Sequence, residues 1–362
     1  MENEKISIAG LNLAELEKLL SPLPRFRALQ IYKWITKGAS CFEQMKNIPL
    51  NLRSELNKNF LIFSSCHDNN DFSLQREDSI SDIGAKKFIF TLRDGLKIES
   101  VILSDGKNRL TACLSTQAGC PCACVFCKTG ALAFKRNLDS REIVEQFLHL
   151  RNLYNNNKNT GHIIDNIVVM GMGEPLLNLA NLRKAISIFN EKEGINFSLR
   201  RITVSTCGIY EGIIDLAQNG PFFKLAVSLT TADDDLRQKL MPVAKSNPLY
   251  KIKEALMQFQ LNGGGRVTLE VPLLSLKGRK GLNTNEKDAK AIADFSKGIN
   301  TVINLIPWNP VEGLMFDGLP LCEPSKDDVK NFEHMLKKYN LNVTMRLHKG
   351  RSVMGACGQL GQ

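Results

Sequence analysis

The stretch GCPCACVFCKTG, residues 119–130, carries four cysteines within eight residues: Cys120, Cys122, Cys124 and Cys127. Zinc sites usually take two ligands from each of two knuckles that lie a dozen or more residues apart, and this cluster has no second knuckle. Iron–sulfur sites use short cysteine runs instead. The spacing Cys120-x3-Cys124-x2-Cys127 supplies three thiolates from one loop and leaves one iron of a 4Fe–4S cluster open. An open iron can bind and reduce a substrate, so the loop indicates catalysis.

The bulk composition bounds the class of protein. A chain of 362 residues with 43% hydrophobic and 23% charged residues is long enough for one large domain and smaller ones. The formal net charge of +10 suits a polyanionic partner such as RNA. Because no apolar run reaches about 18 residues and no signal-peptide core begins the chain, we expect a cytoplasmic protein without a membrane span. In that compartment a tight cysteine cluster favours metal or redox chemistry over structural disulfides.

The apolar pattern divides the chain into four parts. Residues 1–65 have helical spacing with interleaved Lys and Arg, which predicts a small helical domain. Its basic face either contacts RNA or is a solvated surface of a structural domain. Residues 66–105 are predicted to form a linker and a β-hairpin extension. Over 106–347, apolar strands alternate with amphipathic helices, which predicts an α/β partial barrel of six βα units with functional groups at the carboxyl ends of the strands. Residues 348–362 form a C-terminal segment. The strand candidates are 166–170, 201–205, 224–229, 266–271, 301–306 and 342–347.

The cysteine triplet, with Phe126 before its last member, resembles the motif of the radical S-adenosylmethionine (SAM) enzymes. The segment VVMGMGEPLLN, residues 168–178, resembles the loop that holds the methionine amino group in that superfamily. There Gly171 and Gly173 let the backbone approach a ligand, and Glu174 can accept hydrogen bonds from an ammonium group. The resemblance implies a radical-SAM partial (β/α)6 barrel whose cofactors are a 4Fe–4S cluster, held by Cys120, Cys124 and Cys127, and SAM.

Four further segments make the chain similar to the RlmN/Cfr family of adenine C2/C8 RNA methyltransferases. They are RLTACLSTQAGC (109–120), RRITVSTCG (200–208), INLIPWNP (303–310) and GACGQL (355–360). The Pro-Trp pair in the third resembles the RlmN branch more than Cfr. The resemblance implies methylation of adenosine C2 in 23S rRNA, with tRNA as a further candidate substrate. The alternatives are a Cfr-like C8 methyltransferase and, from another class, a non-catalytic iron–sulfur protein that binds RNA.

The resemblance also implies a set of catalytic residues. One SAM methylates Cys357, and a second yields a 5′-deoxyadenosyl radical that takes hydrogen from that methyl group. The carbon radical then joins the protein to RNA. Cys113 attacks Cys357 to release the product and forms a disulfide with it. Glu99, in KIESVIL, matches the base that removes the proton from the adenine carbon.

Further cofactor contacts are carried over by position. They are Ser205, Ser228, Leu229, Thr230 and Asn309, all at or just past the ends of predicted strands. Thr230 departs from the family, which commonly has His there. A hydroxyl can replace one hydrogen bond of an imidazole, but it cannot carry its charge.

The remaining expectations concern other cysteines and partners. Cys122 is expected to point away from the cluster and Cys207 to be structural. The segment that carries Cys357 is expected to be mobile. The expected partners are 23S rRNA, possible tRNA substrates and an electron donor such as flavodoxin or ferredoxin, and the chain is expected to be a monomer.

Overall fold

The computed structural model describes residues 5–64, 84–106, 109–155, 163–279, 281–346 and 350–361. Much of the predicted linker therefore lies outside the described residues. Within the described parts, no helix combines the length and the apolar character needed to cross a membrane.

The N-terminal unit is helical, as its spacing predicts. Its elements are β1 (Ile6–Ser7), α1 (Leu13–Leu19), α2 (Arg25–Thr36), α3 (Leu50–Asn59) and β2 (Phe60–Leu61). Helix α2 begins after Pro24 and α3 after Pro49, because proline fixes φ without needing a hydrogen-bonded N–H at a helix start. Strands β1 and β2 pair in parallel and close the unit.

The rest of the chain is an α/β structure. Its strands are β3 (Ala85–Thr91), β4 (Lys97–Ser104), β5 (Arg109–Cys113), β6 (Gln117–Ala118), β7 (Arg136–Asn137), β8 (Ile163–Val169), β9 (Ile202–Thr206), β10 (Lys224–Ser228), β11 (Val267–Leu273), β12 (Ser275–Leu276), β13 (Thr301–Pro307), β14 (Met315–Phe316), β15 (Leu319–Cys322) and β16 (Val343–Met345). Its helices are α4 (Lys128–Ala131), α5 (Ser140–Asn155), α6 (Leu179–Asn190), α7 (Tyr210–Asn219), α8 (Asp234–Leu240), α9 (Leu249–Leu261), α10 (Glu286–Ser296) and α11 (Lys326–Lys338).

Among the described residues, one nine-stranded sheet runs in the order β16-β13-β11-β10-β9-β8-β5-β4-β3. Within this sheet the neighbouring strands β5, β8, β9, β10, β11, β13 and β16 pair in parallel. Each connection between them contains at least one helix. This confirms the predicted α/β fold. Side chains such as Val204, Leu269 and Ile303 are fully buried, as expected for central parallel strands covered on both faces.

The hairpin extension continues this sheet. Strands β3 and β4 are antiparallel about a turn at Gly95, as predicted, and β4 pairs antiparallel with β5. Strand β5 then pairs in parallel with β8, with Cys113 opposite Val168. RLTAC is therefore the first parallel strand of the barrel, a role that its period-two pattern does not reveal.

The N-terminal unit is docked on α5 by a buried carboxylate. Glu145 is fully buried and accepts hydrogen bonds from Ser7 Oγ at 2.8 Å and from the Ser64 N–H at 2.9 Å. The ring of Phe63 stacks on His149 of the same helix, with 3.9 Å between ring centroids. Because a buried charge is stable only when its lone pairs are satisfied, this contact fixes the unit against the barrel.

A buried arginine ties together the loops after β9 and β10. Arg237, on α8, is fully buried and donates hydrogen bonds to the carbonyl oxygens of Leu229 at 3.1 Å, Asn247 at 3.3 Å and Cys207 at 2.6 Å. Each of these carbonyls would lose a charged donor if the side chain were truncated.

We expect Arg237→Met to lower the free energy of unfolding by about 3 kcal/mol, since hydrogen bonds to charged groups are worth about 1.5–3 kcal/mol each. Urea denaturation of the full chain would measure this loss. The control is Arg183→Met, because Arg183 is partly exposed and its pair with Asp215 should contribute about 1 kcal/mol or less. Equal losses in the two variants would contradict the prediction.

Candidate active site

The cysteine loop, residues 119–127, lies between β6 and α4. Its packing requires glycine at Gly119, within the loop, and at Gly130, in α4. Gly119 has φ +76°, and a Cβ there would lie 2.3 Å from the carbonyl oxygen of Ala133. A Cβ at Gly130 would lie 2.6 Å from the carbonyl oxygen of Cys124. The backbone of the loop is therefore held tightly enough to present its thiols in one arrangement.

The loop opens onto a cavity of about 170 Å³, which we call the loop cavity. Cys120, Cys124 and Cys127 all line it. Further lining comes from the carboxyl ends of parallel strands, where the barrel architecture places functional groups. The sequence-predicted residues found there are Gly173, Glu174, Ser205, Ser228 and Asn309.

The three thiols form a donor set for a soft metal centre. Burial raises the pKa of Cys127 to about 11. A hydrogen bond with Cys207, together with burial, raises the pKa of Cys124. Metal binding replaces thiol protons, so a raised pKa does not prevent sulfurs of this kind from acting as ligands. Three such sulfurs from one short loop, facing a cavity with other polar groups, fit a 4Fe–4S cluster with one open iron.

Glu174 is held in place to accept a positively charged ligand. Its side chain is 3% exposed and accepts hydrogen bonds from the N–H groups of Leu176 at 2.9 Å and Cys207 at 2.7 Å. Burial raises its pKa. Gly173 precedes it with φ +102°, and a Cβ there would meet Gln117 Cβ at 2.5 Å. A fixed, buried carboxylate in this cavity suits an ammonium group.

The expectation that Cys122 points away from the cluster is wrong. Cys122 lines the loop cavity, and its sulfur lies 3.2 Å from that of Cys207. Ala123 between Cys122 and Cys124 has φ +50°, and this left-handed turn keeps both neighbouring cysteines on the cavity side.

Cys207, expected to be structural, also lines the loop cavity, and its thiol donates to Glu174 Oε2 at 2.8 Å. One signal for this was available in the sequence. Cys207 directly follows β9, where functional groups of a parallel sheet gather.

Two predicted cofactor contacts lie behind the cavity lining. Leu229 is fully buried, and its carbonyl oxygen is used by Arg237. Thr230 is fully buried with φ +64°, and its hydroxyl donates to the sulfur of Met241 at 3.2 Å. Met241 itself lines the loop cavity. Thr230, where the family commonly has His, therefore supports a lining residue instead of facing the cavity.

A second cavity of about 440 Å³, which we call the thiol cavity, holds Cys113 and Cys357. Burial raises the pKa of Cys113 to about 12 and also raises that of Cys357. Both cysteines are free thiols, so the disulfide implied by the resemblance is not a bond of this structure. Cys357 and Asn309 line the loop cavity as well. Cys357 therefore stands in a wall that the two cavities share.

Over its described residues, 350–361, the C-terminal segment is bonded to α4, which follows the cysteine loop, and to the barrel, although we expected it to be mobile. The Lys128 N–H donates to the carbonyl oxygen of Gly358 at 2.8 Å, and Thr129 Oγ1 to that of Leu360 at 2.5 Å. Asn309 Nδ2 donates to the carbonyl oxygen of Cys357 at 3.0 Å. These bonds hold the Cys357 sulfur between the cavities.

Glu99 lies beneath this segment. The side chain is 2% exposed, its carboxylate pairs with Lys87 Nζ at 3.3 Å, and it accepts a hydrogen bond from the Gly361 N–H at 3.0 Å. Glu99 is not among the described residues that line the loop cavity or the thiol cavity. In this conformation the C-terminal segment covers the predicted base.

Two family models match the chain. The Radical SAM superfamily model matches residues 114–275. The model of the ribosomal RNA large subunit methyltransferase N-terminal domain matches residues 6–62, which correspond to the helical unit docked on α5.

Curated relatives match almost the whole chain. The probable dual-specificity RNA methyltransferase RlmN of Treponema denticola is 45% identical, covering 99% of this chain and 96% of its own. The protein of the same description in Clostridioides difficile is 37% identical, covering 99% and 98%. A radical SAM methyltransferase crystal structure from Sphaerobacter thermophilus matches with a TM-score of 0.88 at 34% identity, covering 98% of this chain and 99% of that one. The resemblance drawn from the motifs is confirmed.

The roles of the cysteines that line the loop cavity can be separated experimentally. We expect Cys124→Ala to lose most of the bound iron and the visible absorption of the cluster, because one iron then lacks its thiolate. Cys122→Ala and Cys207→Ala should keep both, since the ligand triplet is intact. Iron and sulfide analysis after anaerobic reconstitution would check this, with Cys322→Ala as a control away from both cavities. Loss of the cluster in Cys122→Ala would show that the ligand set is different.

Proposed function

The chain belongs to the RlmN family of radical SAM RNA methyltransferases, and on this basis we propose that it methylates C2 of an adenosine in 23S rRNA, with tRNA as a second substrate. The observation that carries the proposal is the position of Cys357 in the wall shared by the loop cavity and the thiol cavity. A sulfur in that position can take a methyl group on one side and present it on the other. The dual specificity in the names of the relatives supports the tRNA substrate.

The enzyme class follows from family membership, which excludes the non-catalytic alternative. Cys120, Cys124 and Cys127 would hold the cluster, and Glu174, Ser205 and Asn309 would contact SAM. When bound, these cofactors supply a transferable methyl group and the one-electron chemistry that removes hydrogen from an unactivated C–H bond.

Cys357 carries the methyl group. Its sulfur loses a proton and becomes a methyl thioether. Once that methyl group has lost one hydrogen atom, its carbon bonds to adenine C2 in the thiol cavity, which joins protein and RNA. The adduct gives up one electron, which the oxidised cluster would accept, and the proton from C2. Asn309 fixes this sulfur by its hydrogen bond to the Cys357 carbonyl oxygen. The cavity of about 440 Å³ leaves room for a purine beside the two thiols.

Glu99 removes the proton from the adenine carbon in this proposal. Its buried carboxylate is the right chemical type for a general base. To reach the substrate, Glu99 must give up its hydrogen bond with the Gly361 N–H and its ion pair with Lys87. The C-terminal segment therefore has to shift when RNA enters.

Cys113 releases the product. Its thiolate attacks the Cys357 sulfur, an S–S bond forms as the S–CH2 bond breaks, and the electron pair with one proton completes the methyl group. The resulting disulfide is an intermediate that a reductant must reopen before the next turnover.

The remaining partners are proposed on chemical grounds. A net charge of +10 suits RNA. The radical chemistry needs a one-electron donor, for which flavodoxin or ferredoxin is suitable. We further propose that the enzyme acts as a monomer in the cytoplasm, where its RNA substrates are found.

We expect reconstituted enzyme with SAM and a reductant to convert adenosine in 23S rRNA fragments and in tRNA to 2-methyladenosine. Nuclease digestion followed by mass spectrometry against C2- and C8-methyl standards identifies the product. Cys357→Ala should reduce methyl incorporation to background, because the carrier sulfur is gone. A C8 product alone would support the Cfr-like alternative and refute the C2 proposal.

Cys113→Ala should accumulate a covalent protein–RNA adduct, since the first methyl transfer to RNA proceeds but release does not. A denaturing gel with labelled RNA would show it as a slower band. In the unaltered enzyme, the release rate should rise with pH by about tenfold per unit, because the pKa of Cys113, about 12, lies above neutrality. A release rate that does not change with pH would contradict a thiolate mechanism.

A further inference from the structure

One arginine faces both thiols of the thiol cavity. Arg346 follows β16, and its backbone N–H donates to the carbonyl oxygen of Leu305 at 2.9 Å, which anchors it to β13. Its side chain lines the thiol cavity together with Cys113 and Cys357. Among the described lining residues the other charged side chain is Asp105, which pairs with Arg109 at 2.6 Å.

A buried carboxylate holds this arginine from the side of the loop cavity. Glu270 Oε1 lies 3.4 Å from Arg346 Nη1, and Glu270 Oε2 accepts a hydrogen bond from Ser205 Oγ at 2.7 Å. Glu270 lines the loop cavity, and its side chain is 7% exposed. The ion pair thus spans the two cavities and fixes the guanidinium beside the thiols.

The electrostatic effect of Arg346 opposes that of burial. Burial raises the pKa of Cys357 and of Cys113, and the positive charge of Arg346 lowers both. The same interaction, with Cys357 as its largest cause, raises the pKa of Arg346. Glu270 acts in the opposite sense on both thiols.

Two further charged pairs lie close to the described part of the C-terminal segment. Glu99 pairs with Lys87, and Arg351 makes two hydrogen bonds to Glu323 at 2.8 and 3.0 Å. Among the described lining residues of the thiol cavity, Arg346 is the cation, and its charge acts on both sulfurs.

We propose that Arg346 is a positioning residue that stabilises the thiolates of both Cys357 and Cys113. This inference rests on the roles given to the two cysteines in the proposed function. Cys357 must be a thiolate to accept its first methyl group, and Cys113 must be one to attack the Cys357 sulfur. The Arg346 guanidinium therefore acts in the first step, the methylation of Cys357, and in the last step, the attack of Cys113 on the Cys357 sulfur. The ion pair with Glu270 keeps its guanidinium at the wall of the thiol cavity.

The test measures the thiolate directly, without RNA. The full-length chain is isolated with Cys357 unmethylated, as peptide mass spectrometry confirms, and is alkylated with iodoacetamide over a range of pH. Arg346→Met should slow alkylation of Cys357 at neutral pH by about tenfold and shift its midpoint upward by about one pH unit. Arg346→Lys, which keeps the charge, should restore most of the rate. Arg183→Met, whose partner Asp215 lies outside both cavities, should behave like the unaltered chain.

An unchanged midpoint in Arg346→Met, or equal shifts in the Met and Lys variants, would overturn the proposal. Glu270→Gln provides a second arm if Arg346→Met does not fold. It keeps the size of the side chain but removes its negative charge, so it should speed alkylation of Cys357, and no change or a slower rate would also overturn the proposal. Failure of the proposed function would be distinct, because it would show as a wrong methylated nucleoside while the alkylation profiles stayed as expected.

Discussion

The parallel register of the central strands is the constraint on which this site depends. Strands β5, β8, β9, β10, β11 and β13 run in the same direction. Their carboxyl ends therefore meet at one edge of the sheet. Glu174, Ser228 and Asn309 are far apart in the chain but line one cavity for this reason. The cysteine loop reaches the same edge because it follows β5 and β6, and its glycines allow the backbone to pack closely there.

The C-terminal segment lies between the loop cavity and the thiol cavity. Its hydrogen bonds to α4 and to Asn309 place Cys357 between the loop cavity and the thiol cavity. The same segment covers Glu99, so under the proposed mechanism it must shift before Glu99 can reach the substrate. A segment held by a few hydrogen bonds can alternate between two such positions more easily than a strand of the sheet could.

Burial opposes the ionisation of the two thiols on which the proposed chemistry depends. The thiols of Cys113 and Cys357 resist ionisation because burial raises the pKa of each. Nucleophilic sulfur chemistry needs thiolates, so a fixed positive charge has to compensate. In the proposal above Arg346 supplies that charge, and its pair with Glu270 links the lining of the thiol cavity to that of the loop cavity.

The amino-acid sequence by itself determined the parts that are local in the chain. The spacing of Cys120, Cys124 and Cys127, the Gly173-Glu174 loop and the period of the strands and helices all depend on neighbouring residues, so they could be predicted. The convergence of Cys122 with Cys207, the burial of Thr230 behind Met241 and the pairing of Arg346 with Glu270 were decided only by the tertiary structure. These contacts join residues that are distant in sequence, and they depend on strand order, parallel pairing and backbone turns. Hydrophobic periodicity shows which face of an element is buried, but it cannot show which side chain from another strand will lie against it.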